Sequence, residues 1–366
     1  MAERKTMTSN EEYDRAKEIK QFDESKKGVK GLLDSGLTSI PRFFVHPPET
    51  LIDLKPTSDA QFVSIPIIDL SGLNSGRRTA IVDQVSHAAR NHGFFQIINH
   101  GIPQTTMEST IAAIKAFFEQ PSEDKERFYR RELENGVKYL SNVDLYRSKA
   151  ASWRDSLQVR MGPTRVSPEE IPEICAKEMG EWDKEVVQLG EVVLGLVGEG
   201  LGLSEGRLTE LTCLEGRSVV GHYYPFCPEP DRTVGLACHA DPTVLTVLMQ
   251  DQIGGLQIKS GGVWNDVKPV PGAIVINVGD LLQIMSNDEY KSVEHRVLAN
   301  SCNEPRISVV VFLNPGDRER VFGPLLELIS QEKPALYRQF TYKEFVMRFL
   351  AKELDGNSLK NYFSKK

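Results

Sequence analysis

The apolar positions of the first 215 residues mostly follow helical spacing. Within residues 77–91 they recur at the period of an amphipathic helix: Ile81, Val82, Val85, Ala88 and Ala89. The β-rich run that follows, residues 93–99, predicts a strand, as does the apolar run at residues 64–70. The same reasoning predicts further helices over residues 11–34, 105–119, 180–201 and 204–211, with Ser204 as the N-cap of the last.

From residue 217 the pattern changes to short β-rich runs separated by Gly and Pro. They predict strands over residues 219–224, 243–250, 256–259, 262–267, 273–278, 292–299 and 306–313. Strands at such even spacing are typical of an all-β sandwich or barrel. A final helix is predicted over residues 331–350. We therefore divide the chain into an N-terminal extension (1–60), a helix-rich region (61–215), a β core (216–315) and a C-terminal helical tail (316–366).

The charge and composition of the chain exclude some classes of protein. Its 366 residues include 44 Lys+Arg and 51 Asp+Glu, a formal net charge of −7, which argues against binding nucleic acid by neutralising phosphates. No run approaches the roughly 18 apolar residues of a membrane span, and residues 1–20 lack the apolar segment of a secretory signal. Five scattered cysteines without a Cys-x-x-Cys pair fit a reducing compartment. We expect a cytoplasmic protein.

Two histidines and a carboxylate in the β-rich half carry the candidate chemistry. His239 and Asp241 stand at i and i+2, so in a strand both project from one face and can reach one ion. His295 follows several predicted strands later, far enough to return across a barrel. Two histidines and one carboxylate on one side of a metal form the ligand set of non-haem Fe(II) oxygenases. The alternatives are a structural zinc site and histidines that only form hydrogen bonds in the β core.

A second pair of polar residues follows the last histidine. Arg306 and Ser308 also stand at i and i+2 and share one face of a predicted strand. The planar guanidinium of an arginine can hold a carboxylate with two hydrogen bonds, and a serine adds a hydroxyl donor. Tyr224, further upstream, adds a phenol.

These motifs resemble those of the plant 2-oxoglutarate/Fe(II)-dependent dioxygenases. The family pattern of His-x-Asp, a distant His and then Arg-x-Ser is met by the residues just named. Further agreement is found in residues 65–70, 93–101, 223–230, 250–257 and 277–282. Within the family, residues 22–36 and 221–225 are most similar to the branch of ACC oxidase homologues. The resemblance implies a mainly β fold with flanking helices around a double-stranded β-helix, the cupin-like jelly roll.

The resemblance also implies a reaction and a set of roles. His239, Asp241 and His295 would hold Fe(II). The residues that would bind 2-oxoglutarate are Arg306, Ser308 and Tyr224. O2 and 2-oxoglutarate would give succinate and CO2 while a small plant specialised metabolite is hydroxylated, with ascorbate as the reductant. The positions that align with substrate contacts are Tyr139, Phe312 and Asn314, with Val220 and Leu157 as weaker candidates.

Phe312 has two interpretations. It lies six residues beyond Arg306, and this even offset keeps both side chains on one face of a strand, with Phe312 about 20 Å away towards the cavity mouth. It could stack against a substrate there, or it could fill the barrel core.

Several functional alternatives stay open at this level. An ethylene-forming ACC oxidase shares the iron ligands and Arg-x-Ser without using 2-oxoglutarate, and a non-catalytic small-molecule receptor could share the scaffold. Hydroxylation is not distinguished from demethylation, desaturation or ring rearrangement. His222 stands where many relatives have Asn, as a donor near the co-substrate or as an ordinary strand residue. The oligomeric state is open, with a monomer favoured.

Overall fold

The computed structural model describes residues 13–51, 54, 65–132, 136–204, 206–351 and 359–365. The helices predicted from residue 11 and the strand predicted from residue 64 therefore begin outside the described residues. The helices are α1 (Arg15–Ser25), α2 (Gly28–Asp34), α3 (Pro48–Leu51), α4 (Arg78–Asn91), α5 (Gln104–Glu119), α6 (Ser122–Glu126), α7 (Glu173–Gly200), α8 (Arg207–Glu210), α9 (Asp280–Met285), α10 (Tyr342–Ala351) and α11 (Lys360–Phe363).

The strands of the same described residues are β1 (Ile67–Asp69), β2 (Phe94–Ile98), β3 (Val137–Leu140), β4 (Asp155–Arg160), β5 (Gly216–Tyr224), β6 (Val234–His239), β7 (Leu245–Gln250), β8 (Leu256–Ser260), β9 (Val263–Asp266), β10 (Ile274–Val278), β11 (His295–Leu298), β12 (Arg306–Asn314), β13 (Val321–Phe322) and β14 (Phe340–Thr341). Each strand predicted from residue 217 onwards is present, with its ends shifted by a few residues.

Most of these strands form two sheets that face each other. In the described part of the chain, the larger sheet has eight strands in the order β1-β2-β10-β7-β12-β5-β4-β3, and the smaller has four in the order β6-β11-β8-β9. One apolar cluster joins them, with Phe94, Tyr224 and Val275 from the larger sheet and Leu236, Leu256, Ile258 and Val297 from the smaller. Two facing sheets with helices outside confirm the predicted mainly β fold with flanking helices.

Strand β12 shows how the alternation of side chains gives the larger sheet two different faces. Its odd-numbered residues belong to the apolar core beneath the helices: Ile307, Val309, Val311 and Leu313. Its even-numbered residues line a cavity on the opposite face: Arg306, Ser308, Val310, Phe312 and Asn314. Successive side chains of a strand point to opposite faces, so the helices α4, α5 and α7 cover one side and the cavity opens on the other.

The helix-rich region contributes more to the β core than its pattern predicts. β3 and β4, which the sequence analysis did not predict, pair with each other and extend the larger sheet beyond β5. Together with β1 and β2 they carry the sheet across the predicted boundary at residue 216. The division into four segments remains a prediction.

Several predicted helix boundaries are wrong. The helix predicted from residue 180 begins at Glu173, and the helix predicted over residues 11–34 is divided into α1 and α2, because Lys26 ends α1 in the left-handed region.

The helix α8 begins at Arg207 with Gly206 at its N-cap, so Ser204 does not cap it. Gly206 has a backbone φ of 80°, a conformation that glycine adopts at little cost. In the tail, the helix predicted from residue 331 begins only at Tyr342, because bends and the short strand β14 occupy the preceding residues. No helix among the described residues has the length and apolarity that crossing a lipid bilayer requires.

The segment before β1 is held against the end of the larger sheet. The carboxylate of Asp155 accepts hydrogen bonds from the backbone amides of Val29 and Lys30, each 2.9 Å long, and so caps the first turn of α2. The neighbouring Trp153 packs edge-on against Phe44 and donates its indole N–H to a backbone carbonyl. This packing leaves the intervening Arg154 facing the cavity.

Candidate active site

Three potential metal ligands converge at one end of the smaller sheet. His239 ends β6 and His295 begins β11, and the two are direct partners across this antiparallel pair. Asp241 follows two residues after β6. Its Oδ1 lies 3.4 Å from Nε2 of His239 and 3.7 Å from Nε2 of His295, and the potential ligand atoms all lie within 4.8 Å of one another. Two imidazole nitrogens and one carboxylate oxygen could thus hold a single divalent metal ion.

The imidazole rings are held with their Nε2 atoms towards this point. Nδ1 of His239 lies 2.8 Å from the carbonyl oxygen of Ala237, and Nδ1 of His295 lies 3.3 Å from that of Val293. A protonated Nδ1 that donates to a carbonyl leaves the Nε2 lone pair free for a metal. Backbone carbonyls two residues before each histidine therefore fix both the orientation and the tautomer of the imidazoles.

Asp241 is fixed by two donors on its other oxygen. Thr246 Oγ1 and Asn277 Nδ2 donate to Oδ2 at 2.6 Å and 2.9 Å. Burial raises the pKa of Asp241, but His295, His239 and the hydrogen bond from Thr246 outweigh it and hold the pKa below its ordinary value. Burial and the neighbouring His239 lower the pKa of His295 to about 4. The carboxylate is therefore ionised and the imidazole neutral, the states that metal binding requires.

Arg306 is a buried cation on the face of β12 that lines the cavity. Its side chain is 1% exposed, donates to Ser308 Oγ at 3.3 Å and to Gln250 Oε1 at 2.8 Å, and packs over the ring of Tyr224 at 4.8 Å. Its Nε has no hydrogen-bond partner among the described residues. Burying a guanidinium without a counter-ion is costly, so this position favours the binding of an anion such as a carboxylate.

One cavity of about 950 Å³ contains both groups of residues. Val220, Phe312 and Asn314 also line it, which agrees with their expected position near a substrate. Phe312 is the cross-strand partner of Thr246, whose hydroxyl bonds to Asp241. Phe312 therefore lies one strand away from the side chain that holds Asp241.

Two residues expected near the substrate lie on the other face of the sheet. Tyr139 is fully buried in the helix-packed core, where its hydroxyl donates to the carbonyl oxygen of Lys27 at 3.0 Å and its ring packs against Phe117 and Phe118. Leu157 belongs to the same core. Because side chains alternate along a strand, Tyr139 and Leu157 do not line the cavity, and their neighbours Lys138, Ser156 and Gln158 do.

His222 also faces the cavity. Its Nδ1 lies 2.8 Å from Ser156 Oγ, and the residue is the cross-strand partner of Ser308. Burial lowers the pKa of His222 well below its ordinary value, and the nearby cations Arg154 and Arg306 lower it further. His222 is thus a neutral donor or acceptor beside the arginine end of the cavity.

Comparisons with known proteins agree with this site. Residues 216–315 match the 2OG-Fe(II) oxygenase superfamily, and residues 65–178 match the family described as non-haem dioxygenase in morphine synthesis N-terminal. The chain is 47% identical over 353 residues to 1-aminocyclopropane-1-carboxylate oxidase homolog 1 of Arabidopsis thaliana, covering 94% of this chain and 95% of that protein.

Two further similarities extend over most of the chain. Deacetoxyvindoline 4-hydroxylase of Catharanthus roseus is 42% identical over 356 residues, covering 95% of this chain and 88% of that protein. The crystal structure of JOX2 in complex with 2OG, Fe and JA has a TM-score of 0.82 and 31% identity, covering 93% of this chain and 98% of that one.

The fold and the similarities define a non-haem oxygenase with a jelly-roll core. The chain belongs to the 2OG-Fe(II) oxygenase superfamily, and it is a 2-oxoglutarate-dependent dioxygenase similar to the ACC oxidase homologues. The predicted resemblance, the jelly-roll fold and the enzyme class are confirmed.

Proposed function

We propose that this enzyme hydroxylates a small plant specialised metabolite within the 950 Å³ cavity, with Fe(II) held by His239, Asp241 and His295. The observation that carries the proposal is that this cluster lines one cavity together with the buried Arg306, whose Nε has no hydrogen-bond partner among the described residues. When bound, Fe(II) and 2-oxoglutarate supply the chemistry that transfers one oxygen atom of O2 to a C–H bond.

The donor set fits Fe(II). Two imidazoles and one carboxylate converge on one point, and a ligand set of this kind leaves positions open for other ligands of the metal. The outer partners are also in place, since two carbonyls fix the imidazoles and Thr246 and Asn277 fix the carboxylate. Rigid outer contacts of this kind keep the ligands in a single geometry as substrates enter and leave.

Arg306, Ser308 and Tyr224 fit one carboxylate of 2-oxoglutarate. The guanidinium supplies the charge and donors, and the Ser308 hydroxyl already lies 3.3 Å from it, so both can donate to the same oxygen pair. Tyr224 is the cross-strand partner of Arg306 and supports the guanidinium with its ring. The carboxylate would neutralise a buried charge that forms no ion pair within 4 Å among the described residues.

The rest of the cavity suits an organic substrate. Apolar side chains of the larger sheet, among them Leu248, Val220 and Val310, line its wall, and Val346 and Met347 of α10 lie on the side of the C-terminal tail. Apolar walls exclude water from the reacting centre. The name of the relative deacetoxyvindoline 4-hydroxylase states a hydroxylation, which supports that outcome here.

The proposal also covers the compartment, the oligomeric state and the reductant of the enzyme. We place the enzyme in the cytoplasm, acting as a monomer with ascorbate as reductant. The described cysteines, Cys175, Cys213, Cys227, Cys238 and Cys302, are all free thiols, which supports a reducing compartment.

Succinate release tests the proposal. Purified protein is stripped of metal and supplied with 2-oxoglutarate, ascorbate and O2, with and without Fe(II). We expect succinate only with Fe(II), and more of it when a substrate is present. An ACC oxidase-type enzyme, a receptor or a zinc protein would release none, so absence of Fe(II)-dependent succinate contradicts the proposal.

A further inference from the structure

Lys138 is a buried lysine in the wall of the cavity. It lies on β3, lines the cavity and is only 6% exposed. Among the described residues it has no hydrogen-bond or ion-pair partner, and burial lowers its pKa with no neighbouring charge to raise it again. A buried ammonium without a partner is costly. The cost is relieved if a ligand brings an anion to this position.

Gln158 adds a second donor next to this ammonium. Lys138 and Gln158 are direct partners across the β3–β4 pair, and both line the cavity. Side chains opposite each other in an antiparallel pair have their Cβ atoms about 5 Å apart. An ammonium and an amide at this spacing can each donate to one oxygen of a carboxylate.

The charged side chains that line the cavity together favour an anionic ligand. Among the described residues, seven Lys and Arg side chains but only two acidic ones line it, in a chain whose formal net charge is −7. Arg154 is another buried cation of this wall, and its Nε has no hydrogen-bond partner among the described residues. It lies four residues before Gln158 and thus about 13 Å away. Arg160, two residues after Gln158, also lines the cavity, but its Nε donates to the carbonyl oxygen of Thr164. Lys138 and Gln158 therefore offer their donors to one carboxylate.

The strand order sets the distance between this pair and the candidate metal centre. Thr246, which bonds to Asp241, lies on β7, and β3 is four strands away in the order β7-β12-β5-β4-β3. At about 4.8 Å per strand this is roughly 19 Å across the sheet. Side chains shorten the gap from both ends, but a molecule that spans it has its two ends separated by several bonds.

We infer that the substrate is a carboxylic acid whose carboxylate binds Lys138 and Gln158, and that the carbon hydroxylated lies several bonds from that carboxylate. This inference rests on the proposed function, since it names the class of molecule that the oxygenase accepts.

The first experiment identifies the substrate class. The enzyme with Fe(II), 2-oxoglutarate and ascorbate is given a plant metabolite extract that anion exchange has split into an acidic fraction and a neutral and basic fraction. We expect the acidic fraction to raise succinate release and to lose this effect once its carboxylic acids are methylated. Stimulation only by the other fraction, or by the methylated acids, contradicts the inference. No Fe(II)-dependent succinate at all would instead contradict the proposed function.

The second experiment tests the two residues with the compound purified from the active fraction. We expect Lys138→Met to raise KM for that acid at least tenfold and Lys138→Arg to restore most of the affinity. Gln158→Glu places a competing carboxylate beside the ammonium and should raise KM as well, which keeps the test valid if Lys138→Met does not fold. Lys177→Met, an exposed change on α7, is the control and should leave KM unchanged. Unchanged KM in folded Lys138→Met or Gln158→Glu contradicts the inference.

Discussion

The hydroxyl of Thr246 donates a 2.6 Å hydrogen bond to Oδ2 of Asp241. Oδ2 is the oxygen turned away from the histidines, whereas Oδ1 lies 3.4 Å from His239 and 3.7 Å from His295. The larger sheet, through β7, thus positions a carboxylate that follows a strand of the smaller sheet. The proposed metal centre depends on the two sheets holding this spacing.

Replacing Thr246 by Val should weaken Fe(II) binding. The valine has nearly the same shape but cannot donate to Asp241, and the loss of such outer contacts typically lowers metal affinity about 10- to 100-fold. Anaerobic calorimetric titration with Fe(II) measures the effect. Thr246→Ser keeps the hydroxyl and should bind Fe(II) almost as the parent enzyme does. Equal Kd values for Thr246→Val and the parent would show that the hydrogen bond has no positioning role.

Arg306→Lys should raise KM for 2-oxoglutarate. A lysine keeps the charge but loses the two-pronged contact with a carboxylate, and a hydrogen bond to a charged group contributes roughly 1.5–3 kcal/mol, or on the order of 10- to 100-fold. The KM is read from succinate release at varied 2-oxoglutarate. Arg160→Lys, at another cavity-lining arginine, is the matched control. An unchanged KM in Arg306→Lys would assign Arg306 a different role.

Phe312→Ala should lower activity and Leu313→Ala should lower stability, although the two residues are adjacent. Phe312 is half-buried in the cavity wall, so its loss should lower kcat/KM with little change in Tm. Leu313 is fully buried beneath the helices, and its truncation should cost about 2–5 kcal/mol of unfolding free energy. Thermal melts and kinetics of both variants provide the comparison. A large loss of Tm in Phe312→Ala with normal kcat/KM would show that its ring only fills space.

Tyr139→Phe should affect stability and leave catalysis intact. The change removes the hydroxyl that donates to the carbonyl of Lys27, a hydrogen bond whose net contribution is about 0.5–1.5 kcal/mol. Urea unfolding should show a loss of that size, while KM and kcat stay at parent values. A marked rise in substrate KM would return Tyr139 to the substrate site.

The residues of the candidate site were predictable from the sequence where they stand close together in a short motif. Arg306 and Ser308 are separated by one residue within β12, so the two-residue period of a strand already assigns them to one face. His239 and Asp241 have the same spacing, but β6 ends at His239, so Asp241 reaches the shared point from the loop that follows rather than from the strand. The facing histidine required the β6–β11 pairing, which only the family motif indicated.

The substrate wall was harder to predict because it depends on strands far apart in sequence. Alignment selected Tyr139, whereas its neighbour Lys138 faces the cavity, and an error of one residue moves a side chain to the opposite face. The local pattern held a signal: Val137 and Tyr139 alternate with Lys138, which is what a strand with one core face and one polar face shows. The pairing of β3 with β4 is long-range information that this pattern lacks.

The most direct measurement of the central claim is the stoichiometry of Fe(II) binding. Anaerobic titration of the metal-free enzyme should give one Fe(II) per chain, and Asp241→Ala and His295→Ala should each abolish binding at the same concentrations while circular dichroism stays unchanged. His87→Ala, at an exposed histidine of α4, is the control and should bind one Fe(II) as before. One Fe(II) bound with parent affinity by folded Asp241→Ala and His295→Ala would contradict the assignment of the metal centre.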